Sequence, residues 1–223
     1  MIRSNNYFTL VGSLPSLPPG YDVDRPPIND VRLRERLKML EPEDADRVDR
    51  VANFLVWDRQ QVEVTDEDVA ERFEELMAGN RHPLVREMIS TRLEVRTVMV
   101  GLRRRRKGMT PPLGIRPLAQ AIARNWEHPT FKLEHRFPWI AEMDSLLKAG
   151  DLTAVQRLLH DIGWRHWGRL SERYSPFSFE AVLLYLIRWE IIYRWTRRDA
   201  QAGAEKFEKL VTETLGKHAN LIQ

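Results

Sequence analysis

The stretch Ser90 to Gly108, S-T-R-L-E-V-R-T-V-M-V-G-L-R-R-R-R-K-G, sets the reading of the whole chain. Leu93, Val95, Val98, Met99 and Leu102 recur at the three- and four-residue intervals of a helix face, and Leu84, Val85, Met88 and Ile89 carry the pattern upstream. A long helix starting just after Pro83 is predicted. Five consecutive cations, Arg103 to Lys107, fall at its carboxyl end, where the helix dipole favours positive charge. Gly108, Pro111 and Pro112 then supply a stop. Packing and electrostatic docking therefore meet in one element.

Upstream, Tyr7 to Leu14 (Y-F-T-L-V-G-S-L) is the one β-prone run, and Pro15, Pro18, Pro19 and Gly20 follow it, so a short extended entry segment is expected. Asn29 or Asp30 offers a cap for a first helix through Val31, Leu33, Leu37 and Leu40. A second helix begins near Glu43 and closes at Trp57. Thr65 reads as the cap of a third, with Asp68 in the capping-box position, Val69, Phe73, Leu76 and Met77 on its packed face, and Gly79-Asn80 at its end.

Downstream, T-P-P-L-G-I-R at 110–116 breaks the helical pattern and marks a lobe boundary. Helices follow at about 117–126, 138–149 and 152–167, then a final pair at 178–198 and 200–217 whose short turn near Asp199 predicts an antiparallel hairpin. The expected fold class is all-α: helix hairpins in two lobes, residues 1–109 and 110–223, with one compact unit as the other arrangement.

Composition bounds the function. The chain of 223 residues is long enough for a real core, and its 43% hydrophobic and 30% charged residues describe an ordinary folded protein. It has no cysteine, which removes disulfides, thiolate metal sites and cysteine nucleophiles. Residues 1–12 are too polar at Arg3 to Asn6 for a secretory leader, so export is not expected. The most apolar stretch, 177–195, contains Glu180, Arg188, Glu190 and Arg194 and reads as a buried helix rather than a membrane span. The net charge of +3 conceals an asymmetry: residues 43–79 carry −8 and residues 80–140 carry +9. Opposed regions of this kind pair with each other or face different partners.

No catalytic motif stands out. The chain lacks a phosphate-binding G-x-x-x-x-G-K-[ST] loop, a G-x-S-x-G elbow and an H-E-x-x-H helix. His160 and His166 are six residues apart, which does not place them on one helix face as a ligand pair. The seven tryptophans sit mostly at helical spacing and read as packing anchors, with a base-stacking platform as the other reading. Glu190 with Arg194, and Glu205 with Lys209, have the i, i+4 order of local helix pairs. No catalytic residue, metal ligand or cofactor is assigned. The arginine run is the sharpest feature, and three readings of it stay open: a solvated helix end, a dock for an acidic protein surface, or a phosphate-binding patch. The docking residues expected are Arg96, Arg103, Arg104, Arg105, Arg106 and Lys107.

Three stretches carry a family resemblance. Glu94 to Gly108 resembles a helix of the C subunit of A-type and V-type ATPases, the counterpart of the eukaryotic d subunit, with Arg96 standing near the family's asparagine-leucine-arginine element, which is otherwise not intact. Y-F-T-L-V-G-S-L-P-S-L-P and F-S-F-E-A-V-L-L-Y-L-I-R-W-E-I-I-Y-R-W resemble the opening and late helix of short bacterial proteins grouped with that family. The resemblance implies a non-catalytic helical component, cytoplasmic and peripheral to the cell membrane, coupling the central stalk of a rotary ATPase to its membrane rotor ring. Nucleic acid is not an expected partner; a basic helical nucleic-acid-binding or regulatory adaptor is the alternative from another class.

Overall fold

The computed structural model describes residues 7–55, 66–112 and 116–198. Every regular element among them is helical: α1 (Phe8–Ser13), α2 (Asp30–Leu37), α3 (Pro42–Leu55), α4 (Asp66–Gly79), α5 (Pro83–Arg106), α6 (Arg116–Arg124), α7 (Ile140–Ala149) and α8 (Leu152–Ser171), with α9 covering 179–198. The all-α class is thus realised. No helix among the described residues is long and apolar enough to cross a membrane. The closing turn at Asp199, the helix at 200–217, the Trp57 and Thr65 boundaries and the Glu205–Lys209 pair lie outside the described residues.

The amino end departs from expectation. The β-prone run from Tyr7 is helical, with Leu10 and Tyr7 buried. A lone strand would leave its amides and carbonyls without a ladder, whereas a helical turn satisfies them within the segment. Extended backbone begins only at Leu14, after α1. Val31 is also not a core residue, being 69% exposed, so α2 buries Leu33 alone. Its cap is Asn29, whose side chain accepts from the Arg32 amide at 2.8 Å.

The chain divides into two compact units. One takes Glu41–Ile162; the other takes the two ends, Met1–Leu40 and Gly163–Gln223. The break expected at 109/110 falls inside the first of these, because α5 packs against α6 and α7 beyond the proline-rich stretch as well as against α3 and α4 before it.

In the Glu41–Ile162 unit, α5 is the central element. Leu84, Val85, Met88, Ile89, Val98 and Leu102 lose all contact with water. Its later half joins Leu118, Ile122, Phe131, Ile140, Met143 and Leu158 in one apolar cluster. In the unit of the two ends, tryptophans fix the proline-rich entry segment. The indole N–H groups of Trp164 and Trp189 donate to the carbonyls of Pro19 at 3.1 Å and Ile28 at 2.8 Å, and that of Trp195 donates to Asp22 at 2.9 Å. Tyr21 meets Trp164 and Trp195 edge-on. An irregular segment needs partners for its carbonyls, and indoles on helices supply them here.

Candidate docking site

The end of α5 is closed by Gly108, which adopts a left-handed conformation at φ 64°. Its amide donates to the Arg105 carbonyl at 3.0 Å and the Met109 amide to the Arg104 carbonyl at 2.9 Å, the paired bonds of a Schellman cap. The predicted stop is therefore where the sequence places it, and the cap holds the last turn's side chains in register.

The five cations do not form one patch. Arg105 turns inward: it pairs with Asp144 of α7 at 3.1 Å, donates to the His128 carbonyl at 2.5 Å, and lies 4.9 Å from the centroid of the buried Phe131 ring. Asp144 is itself buried and also holds Lys148 at 2.6 Å. Arg104 reaches the Pro111 carbonyl at 3.3 Å. Arg103, Arg106 and Lys107 remain exposed, and none has a polar partner among the described residues. Their spacing of i, i+3 and i+4 puts all three on one face of the last turn. Arg96 is half-buried two turns earlier on α5 and is engaged within the protein. Of the six residues expected to dock a partner, the structure brings three together outside and uses Arg105 as an internal anchor.

The sequence held a signal for that inward turn. Arg105 continues the seam of Val98 and Leu102 at steps of four and three, so it falls on the buried stripe despite its charge. Its partners lie 23 and 39 residues away in sequence, which no local spacing reveals. Within the acidic stretch, on α3, Arg47 pairs with Glu43 and Asp44, and Arg50 with Asp46, inside the same helix.

Behind Phe131 a tight turn is built on His128. Phe131 and Lys132 both take positive φ, 55° and 57°, an unusual pair for non-glycine residues. The His128 Nδ1 accepts from the Thr130 and Lys132 amides and lies 3.0 Å from the Thr130 hydroxyl, which also bonds Glu134. That hydroxyl, aided by the Glu134 backbone, holds the Glu134 carboxyl below the usual carboxylate range. The turn positions Phe131 beneath Arg105. A groove of about 490 Å³ elsewhere in the unit is lined by Arg50, Glu71, Arg72, Glu75, Leu76, Gly79 and Asn80. Among the described residues no three histidine or carboxylate side chains gather into a metal-binding group.

These features define an all-helical protein with a capped, three-cation helix end on its surface. The chain belongs to the family described as "Protein of unknown function (DUF2764)", whose model matches residues 33–217. No curated protein and no solved structure matches it.

Proposed function

We propose that this chain is a non-catalytic coupling subunit of a rotary V/A-type ATPase, joining the central stalk to the membrane rotor ring from the cytoplasmic side. The observation that carries the reading is the one-faced triad of Arg103, Arg106 and Lys107 at the rigid, capped end of a helix packed on its other sides. A spacer that transmits torque needs stiff helices and charged docking faces. Glu94 to Gly108 resembles a helix of the C subunit of these ATPases, and two further stretches resemble short bacterial proteins grouped with that family, which supports placing such a part in that assembly.

The test is purification of the full chain from its own cells, with the recovered proteins identified, for the wild type and for Arg103→Gln/Arg106→Gln/Lys107→Gln. The wild type is expected to bring down rotary ATPase stalk and rotor proteins at low salt. The triple variant should lose them, because neutralising three surface cations removes a steering and docking term that salt also screens. Recovery of those proteins by the triple variant at every salt concentration overturns the docking role. If no ATPase component is recovered with wild type, and duplex DNA binds it with an affinity falling steeply in salt, the nucleic-acid adaptor reading takes its place.

A further inference from the structure

The Schellman cap at the end of α5 places Met109 directly after its left-handed glycine, Gly108. In such a cap that position usually carries an apolar side chain, packed on one of the residues that begin the helix's last turn. Here those residues are Arg103 and Arg104, and Met109 is left 49% exposed. Its backbone is nevertheless fixed. The Met109 amide donates to the Arg104 carbonyl at 2.9 Å, and the Arg104 guanidinium reaches forward to the Pro111 carbonyl at 3.3 Å. One bond holds Met109 itself, and the other holds the chain just beyond it. Arg103, Arg106 and Lys107 stand on that same last turn, exposed and without a polar partner among the described residues.

A single exposed apolar side chain is ordinary on a protein surface. This one sits where the cap's own apolar contact is unfilled, on a segment tied to the helix that carries the cations. Ordering before contact lowers the entropy that association costs. Methionine and arginine are both enriched at protein interfaces, where the unbranched thioether adapts to varied apolar partners. A nucleic-acid backbone would engage the cations through its phosphates and leave the thioether unused. An acidic protein segment that includes an apolar side chain would use both.

We infer that this helix end reads a protein segment in which an aliphatic side chain is flanked by carboxylates. Met109 is the apolar contact, and Arg103, Arg106 and Lys107 face the acids. The inference rests on the docking role proposed above for the triad and adds the chemistry of the partner; it does not require that partner to belong to a rotary ATPase.

The test uses the full chain at low salt and two fluorescein-labelled, amidated peptides of equal charge, E-E-L-E-E and E-E-S-E-E, with binding followed by fluorescence anisotropy. The leucine peptide should bind about fivefold more tightly, as partial burial of one aliphatic side chain gives. Met109→Ser, at an exposed site, should keep the fold and bind both peptides equally, at the wild-type affinity for the serine peptide. Arg103→Gln/Arg106→Gln/Lys107→Gln should lose most of its affinity for both. Equal binding of the two peptides by wild type, binding of neither, or a leucine preference that survives Met109→Ser overturns the inference. So does a DNA duplex that binds more tightly than either peptide and is indifferent to Met109→Ser, which makes the helix end a phosphate patch. Purification from the protein's own cells separates the two proposals. A triple variant that loses its partners while Met109→Ser keeps them removes the apolar contact alone, and a Met109-dependent leucine preference with no ATPase component recovered removes the rotary reading alone.

Discussion

Between two residues of the same cationic run, Arg105 follows Val98 and Leu102 onto the buried stripe of α5 and bridges Asp144, the His128 carbonyl and the Phe131 ring. Its side chain is 17% exposed and that of Asp144 6%, so the pair sits where removing one partner leaves the other's charge poorly compensated. Arg105→Ala leaves Asp144 to Lys148 alone, and Lys148 is largely in water. A loss of about 3 kcal/mol in unfolding free energy is expected from urea denaturation. Arg105→Lys should fall between the two, because one ammonium cannot reproduce a fork that reaches a carboxylate and a carbonyl together. Arg103→Ala, at an exposed site, should stay within about 0.5 kcal/mol of wild type. Equal losses for Arg105→Ala and Arg103→Ala would contradict the division of labour along the run.

Two helix-interior glycines show how an element's neighbours decide what its sequence must be. A Cβ on Gly101 of α5 would stand 3.3 and 3.4 Å from the Phe131 ring and 3.5 Å from Ile122. That ring cannot retreat, since it is fully buried and stacked on Trp126 at 5.5 Å. On α8, a Cβ at Gly163 would come 3.2 Å from Ile191 Cδ1, the far end of a side chain that can turn away. Gly163→Ala should therefore gain up to about 1 kcal/mol from helix propensity, while Gly101→Leu should lose about 3 kcal/mol through overpacking. Thermal unfolding of both variants checks the contrast, and a stabilised Gly101→Leu would refute the packing account. Much at this scale was legible from the chain: apolar spacing marked α5, the choice of Asn29 or Asp30 bracketed the cap of α2, Gly108 marked the end of α5, and the order Glu190–Arg194 marked a pair that forms. What escaped was whatever depends on distant partners. The run from Tyr7 carries strand-prone residues yet folds as α1, with Leu10 buried and Phe8 against Phe177, and the proline-rich segment after it is held by indoles more than a hundred residues away. For the docking site, spacing disclosed the run but not the inward turn of Arg105, whose acid lies on α7.

At the scale of the molecule, chain order and compactness part company. The proline-rich stretch after α5 looks like a boundary because composition changes there, but a composition change shows only that a helix ends. Whether a domain ends depends on where apolar faces find partners, and α5 finds α3 and α4 before that stretch and α6 and α7 after it. Glu41–Ile162 is the unit made of continuous chain, and the apolar cluster around Val98, Leu102, Phe131 and Met143 has its members, out to Ile162, within it. A fragment of residues 41–162 carries that cluster, the Schellman cap and the Arg105–Asp144 pair, so it contains the means to fold alone. Expressed by itself, it should give a helical circular dichroism spectrum and a cooperative urea transition. Arg105→Ala should lower its stability by about the same 3 kcal/mol as in the full chain, because both partners of Arg105 lie inside the fragment. A non-cooperative fragment, or one indifferent to Arg105→Ala, would mean that α5 organises its neighbours only with the two chain ends in place.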